Sequence, residues 1–205
     1  MKYDALATKE IVQKTIEALN ARNIDAVALE SGADALVKIK ELIPAGASVM
    51  NGSSRTLEQI GFVEYLKSGV HGWNNLHEGI LAEKDPAKQA QLRKQAVLSD
   101  FYLGSVHALA ETGELVIASN TGSQLPHIVF TSPNLIFVVG TQKIAPTLTD
   151  ALSRLEEYVI PLEDERMKQA YGVGTALNKL LIFKGENKMM GRKVQVIFVN
   201  EKLGF

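Results

Sequence analysis

Cysteine is absent from the 205 residues of this chain. That excludes disulfides, thiolate catalysis and any cysteine-ligated iron–sulfur cluster held by this chain itself. Excess charge is missing too: 22 Lys and Arg stand against 23 Asp and Glu, for a net charge of −1. A nucleic-acid binder normally carries a basic excess or stripe, so that class is disfavoured. The longest apolar runs, such as Leu135–Val139, have the length of a strand and fall far short of a membrane span. Met1-Lys2-Tyr3-Asp4 leads into an amphipathic helix with no apolar h-region, so a cytoplasmic chain is expected. Several motifs are missing as well. Gly172-Val173-Gly174 lacks the third glycine and the preceding strand of a dinucleotide fingerprint. No phosphate-binding P-loop and no Gly-x-Ser-x-Gly nucleophile elbow occur.

What is present is the composition of an ordinary globular chain, 46% hydrophobic and 22% charged, long enough to bury one core without staples. One domain over residues 1–205 is expected. Residues 4 to 22 read as a helix with Ile11, Val12, Thr15, Ile16 and Leu19 on one face. Ile24 to Leu29 reads as a strand. Ser31 with Asp34 reads as a capping box that opens a helix to Ile43. Ala47–Met50 is a second strand, and Thr56 with Gln59 reads as the capping box of a helix from Leu57 to Leu66. Asp85-Pro86 starts a helix to about Leu98. Phe101–Leu103 reads as a strand, Val106–Ala110 as a helical turn, and Leu115–Ala118 as a strand. Leu135–Val139 has the near-continuous apolar pattern of a strand buried on both faces. Helices are expected over Thr149–Tyr158 and Leu162–Tyr171, and a closing hairpin over Leu180–Phe183 and Val194–Val199. This alternation predicts an α/β fold with a mostly parallel central sheet between helical layers, a three-layer α/β/α arrangement. Ligands of such sheets bind beyond the carboxyl ends of the strands.

Polar, glycine-containing turns beside the strands are the candidate site. Asn51-Gly52-Ser53-Ser54, with Thr56, joins a strand to a helix. Small residues there let a ligand approach the backbone, and the free amides of a helix start suit an anion. Asp100, Gly104 and Ser105 flank another strand. Glu111-Thr112-Gly113 follows, with Glu111 as candidate acid or base and the other two as donors. Asn120-Thr121-Gly122-Ser123 is a third such turn, with Asn120, Gly122 and Ser123 as candidate ligand contacts. The plain alternative for each is a turn that satisfies its own backbone. His71, Trp73, His77 and Glu78 match no metal-ligand spacing, and no metal or other cofactor is expected. His71 and His77 read as loop residues with local hydrogen bonds, and Trp73 as a packing anchor.

The run Asp100-Phe101-Tyr102-Leu103-Gly104-Ser105-Val106-His107-Ala108-Leu109-Ala110-Glu111-Thr112-Gly113-Glu114-Leu115-Val116 resembles the central signature of the LUD family, named for lactate utilisation. Gly52–Gly61, Lys143-Ile144-Ala145-Pro146-Thr147-Leu148 and the tail from Gly191-Arg192 to Leu203-Gly204-Phe205 are also similar to segments of that family. The resemblance covers nearly the whole chain. It implies a fold like that of CoA transferases and of sugar-phosphate isomerases such as ribose-5-phosphate isomerase. It also implies a lactate utilisation protein C-like role, beside iron–sulfur partner proteins that oxidise lactate to pyruvate. The expected function is a non-redox component of lactate or 2-hydroxy-acid utilisation that binds a small anionic metabolite. A stand-alone isomerase or acyl/CoA transferase using the same cleft, and an assembly protein without a small-molecule site, remain open. So does a homo-oligomer.

Overall fold

The computed structural model describes residues 3–205. Met1 and Lys2, the first residues of the expected leader-free start, lie outside the described residues. The chain forms α1 (Lys9–Ala21), β1 (Asp25–Leu29), α2 (Gly32–Leu42), β2 (Ser48–Asn51), α3 (Arg55–Gln59), α4 (Phe62–Lys67), β3 (Asn74–Asn75), α5 (Leu76–Ala82) and α6 (Pro86–Gln95). There follow β4 (Phe101–Gly104), β5 (Ala108–Ala110), β6 (Leu115–Ser119), β7 (Asn134–Gly140), β8 (Ile144–Ala145), α7 (Leu148–Arg154), α8 (Ile160–Tyr171), β9 (Lys179–Phe183) and β10 (Lys193–Val199). The Ser31–Asp34 capping box forms at the start of α2, and Asp85 with Pro86 starts α6. A π turn over Leu155–Val159 joins α7 to α8, so the two helices expected there run on as one path.

Six strands form a parallel sheet in the order β1-β10-β7-β4-β2-β3. β7 sits inside it. Leu135, Phe137 and Val139 point to one face and Ile136 and Val138 to the other, all buried. This is why its sequence is apolar throughout rather than alternating. Ala35, Ile39, Leu57, Phe62 and Leu66 from α2–α4 cover one face. Val12 and Leu19 of α1 pack on the other. Each of these side chains larger than alanine contributes about 1.5–3 kcal/mol by leaving water. Helices therefore lie on both faces of a parallel sheet, the three-layer α/β/α order expected from the alternation.

A second sheet of four strands, in the order β8-β5-β6-β9, packs beside α1 and was not foreseen. Leu109, Leu115 and Ile117 face the large sheet, while Ala108, Val116 and Ala118 face α7 and the π turn. Two expectations change with it. Val106–Ala110 holds the strand β5, not a helical turn, because Ala108–Ala110 pairs with both β6 and β8. Alanine's helix preference, below 1 kcal/mol per residue, is small beside two sets of strand pairings. The closing hairpin also fails. β9 pairs antiparallel with β6, whereas β10 lies between β1 and β7 in the large sheet.

The stretch from Ser68 to Gly79 is held by its aromatics. Trp73 is buried and donates from Nε1 to Ile43 O at 3.1 Å. His71 accepts from Trp73 N at Nδ1, 2.9 Å, and meets Leu66 O through Nε2, also at 2.9 Å. Beyond β10 the chain crosses the end of β7. A Cβ on Gly140 would stand 2.6 Å from Glu201 O and 2.8 Å from Leu203 N. We expect Gly140→Ala to destabilise the fold by about 2–3 kcal/mol through this overpacking. Urea denaturation measures it, and a loss below about 0.5 kcal/mol, the size of an ordinary surface change, would show that the tail is not pressed against β7.

Candidate functional site

The carboxyl ends of β2, β4 and β7 open onto one cleft of about 500 Å³. Gly52-Ser53-Ser54 follows β2, Gly104-Ser105 ends and follows β4, and Lys143 stands in the turn after β7. The end of β6 and the turn after it add Ser119–Thr121, Ser123 and Gln124, and α8 adds Glu163, Arg166 and Met167. Gly204 and Phe205 of the tail complete the lining.

Lys143 is the electrostatic centre of this cleft. It is only 3% exposed, and Nζ donates to Thr56 Oγ1 and Ser105 Oγ at 3.1 Å each and to Val106 O at 3.2 Å. Among the described residues no carboxylate forms an ion pair with it. Burial pushes its pKa down to about 7, with repulsion from Arg154 adding to the shift. Arg154 is itself buried, donating from Nη1 to His107 O at 2.6 Å. His107 also lines the cleft. Its Nδ1 accepts from Ala118 N at 3.1 Å, and burial first, then Lys143 and Arg154, push its pKa to about 3. It is therefore a neutral imidazole with its proton on Nε2. Arg55, Arg93 and Arg166 join Lys143 in the lining against one carboxylate, Glu163. Glu163 grips Arg166 at 2.7 and 2.6 Å, and Arg55 meets Glu58 at 3.2 Å. The cleft thus has an arginine-rich lining with a buried lysine at its floor, a setting for an anion.

The glycines mark where the walls close in. A Cβ on Gly52 would stand 2.7 Å from the Tyr102 hydroxyl. Tyr102 is buried, stacks on His127 at 4.5 Å and points its hydroxyl at Gln124 Oε1, 3.4 Å away. Burial pushes its phenol pKa up, so it stays a neutral donor. Gly204 has φ +67°, and a Cβ there would lie 2.6 Å from Thr56 Oγ1 and 3.0 Å from Lys143 Nζ. The tail backbone therefore seals the lysine from one side.

Of the residues singled out in the sequence, Gly52, Ser53, Ser54, Thr56, Gly104, Ser105, Asn120 and Ser123 meet at this cleft. Asn51 ends β2 as a buried neighbour, its Nδ2 donating to Gly52 O at 3.1 Å. Gly122 shapes the third turn with φ +87° and does not line the cleft. The structure separates the others. Asp100 precedes β4, at the opposite end of the strand, where its carboxylate accepts from Ser48 N and Oγ at 2.8 and 2.6 Å. Glu111, Thr112 and Gly113 form the β5–β6 hairpin turn and dock on α1 rather than on the cleft. Lys14 pairs with Glu111 at 2.8 Å, and Arg22 donates to Thr112 O at 2.7 Å. The cleft thus receives no carboxylate from Glu111, because the second sheet carries this turn away. The cap of α3 is also corrected. Ser54, not Thr56, accepts from Leu57 N, while Gln59 accepts from Gly204 N at 2.6 Å. With five residues α3 is too short for a strong dipole, so cationic side chains dominate the site. Asn75 Oδ1 caps α5 by accepting from His77 N and Glu78 N, so His77 stands in a helix rather than a loop, and no three acidic or histidine side chains among the described residues gather to hold a metal.

Among the lining residues that sequence reasoning missed are Lys143, His107, Tyr102, Arg55, Arg93 and Arg166. For Lys143 a signal existed. It is a lone charge between the apolar strand Leu135–Val139 and Ile144-Ala145, where burial without a partner is costly.

A model of the LUD domain family matches residues 12–180. A crystal structure of a DUF162 family protein from Deinococcus radiodurans superposes with a TM-score of 0.59 at 12% identity, covering 96% of this chain and 100% of that one. That likeness concerns the fold. No curated protein matches this chain.

Between about pH 7 and the ordinary lysine value of 10.5 the unfolded chain binds at Lys143 a proton that the folded chain has released. Stability therefore rises with pH across that window, and the cost of the buried ammonium is fully present below it. We expect Lys143→Met to flatten this rise, seen by urea denaturation at several pH values. An equally steep rise in the variant would assign the effect elsewhere.

Proposed function

Because the chain belongs to the LUD domain family, named for lactate utilisation, we propose that it binds a small carboxylate metabolite of 2-hydroxy-acid utilisation in the Lys143 cleft. The observation that supports this most directly is Lys143 itself, a buried lysine that carries its proton below about pH 7, with hydroxyl and carbonyl partners but no carboxylate. Its hydrogen bonds run toward Thr56 Oγ1 and Ser105 Oγ; Thr56 is enclosed by Gly204, whereas Ser105, half-buried on the cleft wall, can turn its proton from a long 3.4 Å contact with Val106 O to an anion. Arg55 and Arg93 supply further positive charge in the lining. The role is that of a non-redox component. With no cysteine the chain supplies no thiolate for a cluster, so electron transfer falls to iron–sulfur partner proteins while this chain holds substrate or product.

A cleft of about 500 Å³ exceeds the needs of a three-carbon acid. That favours, as a second reading, an enzyme whose substrate reaches from Lys143 toward Arg93 and Arg166, an acyl/CoA transferase or an isomerase.

Isothermal titration with lactate, pyruvate and a phosphosugar tests the first reading. We expect lactate or pyruvate to bind, and Lys143→Met or Arg55→Gln to weaken that binding about 10- to 100-fold, the worth of a charge-assisted contact. No heat from either carboxylate, or an affinity unchanged in both folded variants, would overturn it. Binding of the phosphosugar alone moves the weight to the second reading.

A further inference from the structure

We propose that Ser105 and Lys143 form a nucleophile–base dyad, and that the cleft turns over a small anionic acyl compound, an ester or thioester, through an acyl-Ser105 intermediate. The proposal rests on the reading of the cleft as an anion site only for its choice of substrate class. The dyad itself rests on the contacts around Nζ.

Those contacts leave little freedom. As an ammonium, Lys143 donates to Ser105 Oγ, Thr56 Oγ1 and Val106 O, all within 3.2 Å. As a neutral amine it keeps two N–H groups and gains a lone pair. Val106 O can only accept, so it takes one N–H. The second N–H goes to one hydroxyl, and the other hydroxyl can donate its proton into the lone pair; for Ser105 the competing acceptor, Val106 O, is farther away at 3.4 Å. Thr56 is 1% exposed within α3 and sealed by Gly204. Ser105 is half-buried on the cleft wall, where a carbonyl carbon can reach it. Thr56 then orients the amine while Ser105 shares its proton with Nζ, which is the requirement for an activated serine. A Ser–Lys pair needs no Gly-x-Ser-x-Gly elbow, so the missing elbow excludes only one class of serine enzyme.

The surroundings keep the base available. Arg154 from α7 repels the ammonium, His107 beside it is neutral, and among the described residues no carboxylate pairs with it. A lysine that loses its proton near pH 7 is matched to general base work at neutral pH. The chemistry balances. Ser105 Oγ bonds to the acyl carbon as its proton passes to Nζ. The bond from carbon to the leaving oxygen or sulfur breaks, and that group takes the proton from Nζ. Water then attacks the acyl-serine, its proton passes to Nζ, and Ser105 Oγ recovers a proton as the acid departs. Arg55 and Arg93 hold the anionic part of the substrate.

The test treats the full-length protein with a fluorophosphonate and locates the adduct by peptide mass spectrometry. We expect one adduct, on Ser105, forming faster as pH rises through about 7. It should be absent in Ser105→Ala and slowed by about 100-fold or more in Lys143→Met and Lys143→Arg, the scale of lost general base catalysis. Lys143→Arg keeps the charge without a usable base, and the melting of each variant confirms folding. The anionic ester p-nitrophenyl hemisuccinate should release p-nitrophenol faster than neutral p-nitrophenyl acetate. An unlabelled Ser105 in folded protein, or labelling indifferent to both pH and Lys143 substitution, overturns the dyad; a faster neutral ester overturns the anionic substrate class. Carboxylate binding without any adduct leaves the binding function standing and removes this proposal. An adduct without carboxylate affinity does the reverse.

Discussion

Burying the Lys143 amine without a counter-charge is the constraint around which this molecule is arranged. A lone ammonium taken from water costs several kcal/mol unless hydrogen bonds replace its hydration. Here three oxygens from two segments do so: Thr56 from α3, and Ser105 and Val106 from the turn after β4. Arg154 raises that cost from the other side. The tail contributes by its backbone, since Gly204 approaches Thr56 and Nζ more closely than any side chain could. Each of these segments is positioned by a different strand or helix, so the amine joins the ends of β2, β4, β7 and β10.

The two sheets divide the work. The parallel sheet brings the ends of β2, β4 and β7 to one side, where their turns form a cleft. The smaller sheet holds the turn after β6 against that cleft while sending the β5–β6 turn to α1. One hairpin therefore contributes one turn to the site and one to the scaffold. Glu111 and Asn120, nine positions apart, fall on opposite sides of that division.

Much of the candidate site was legible because its turns have a chemical signature. Gly52-Ser53-Ser54 and Gly104-Ser105 are small and polar at strand ends, and they meet as such positions should in a parallel sheet. Asp100 and Glu111 carry an equally suggestive chemistry but serve β2 and α1. Their partners, Ser48 and Lys14, lie 52 and 97 residues away, beyond any local pattern. The cationic lining was not legible for the same reason. Arg55, Arg93 and Arg166 sit on exposed helical stretches whose charges look like ordinary wet faces until α3, α6 and α8 converge.

By itself the sequence determined what short-range periodicity and composition control: the capped helices, the doubly buried β7, the parallel sheet between helical layers, and the absence of thiol chemistry. Tertiary structure alone decided which turns share a cleft, that β9 and β10 part into different sheets, and that Lys143 lies buried among hydroxyls rather than in water. The physical reason is range. Helix periodicity and capping act over three or four residues, whereas the burial and pairing of a charge depend on groups far apart in the chain, and no local pattern carries that information.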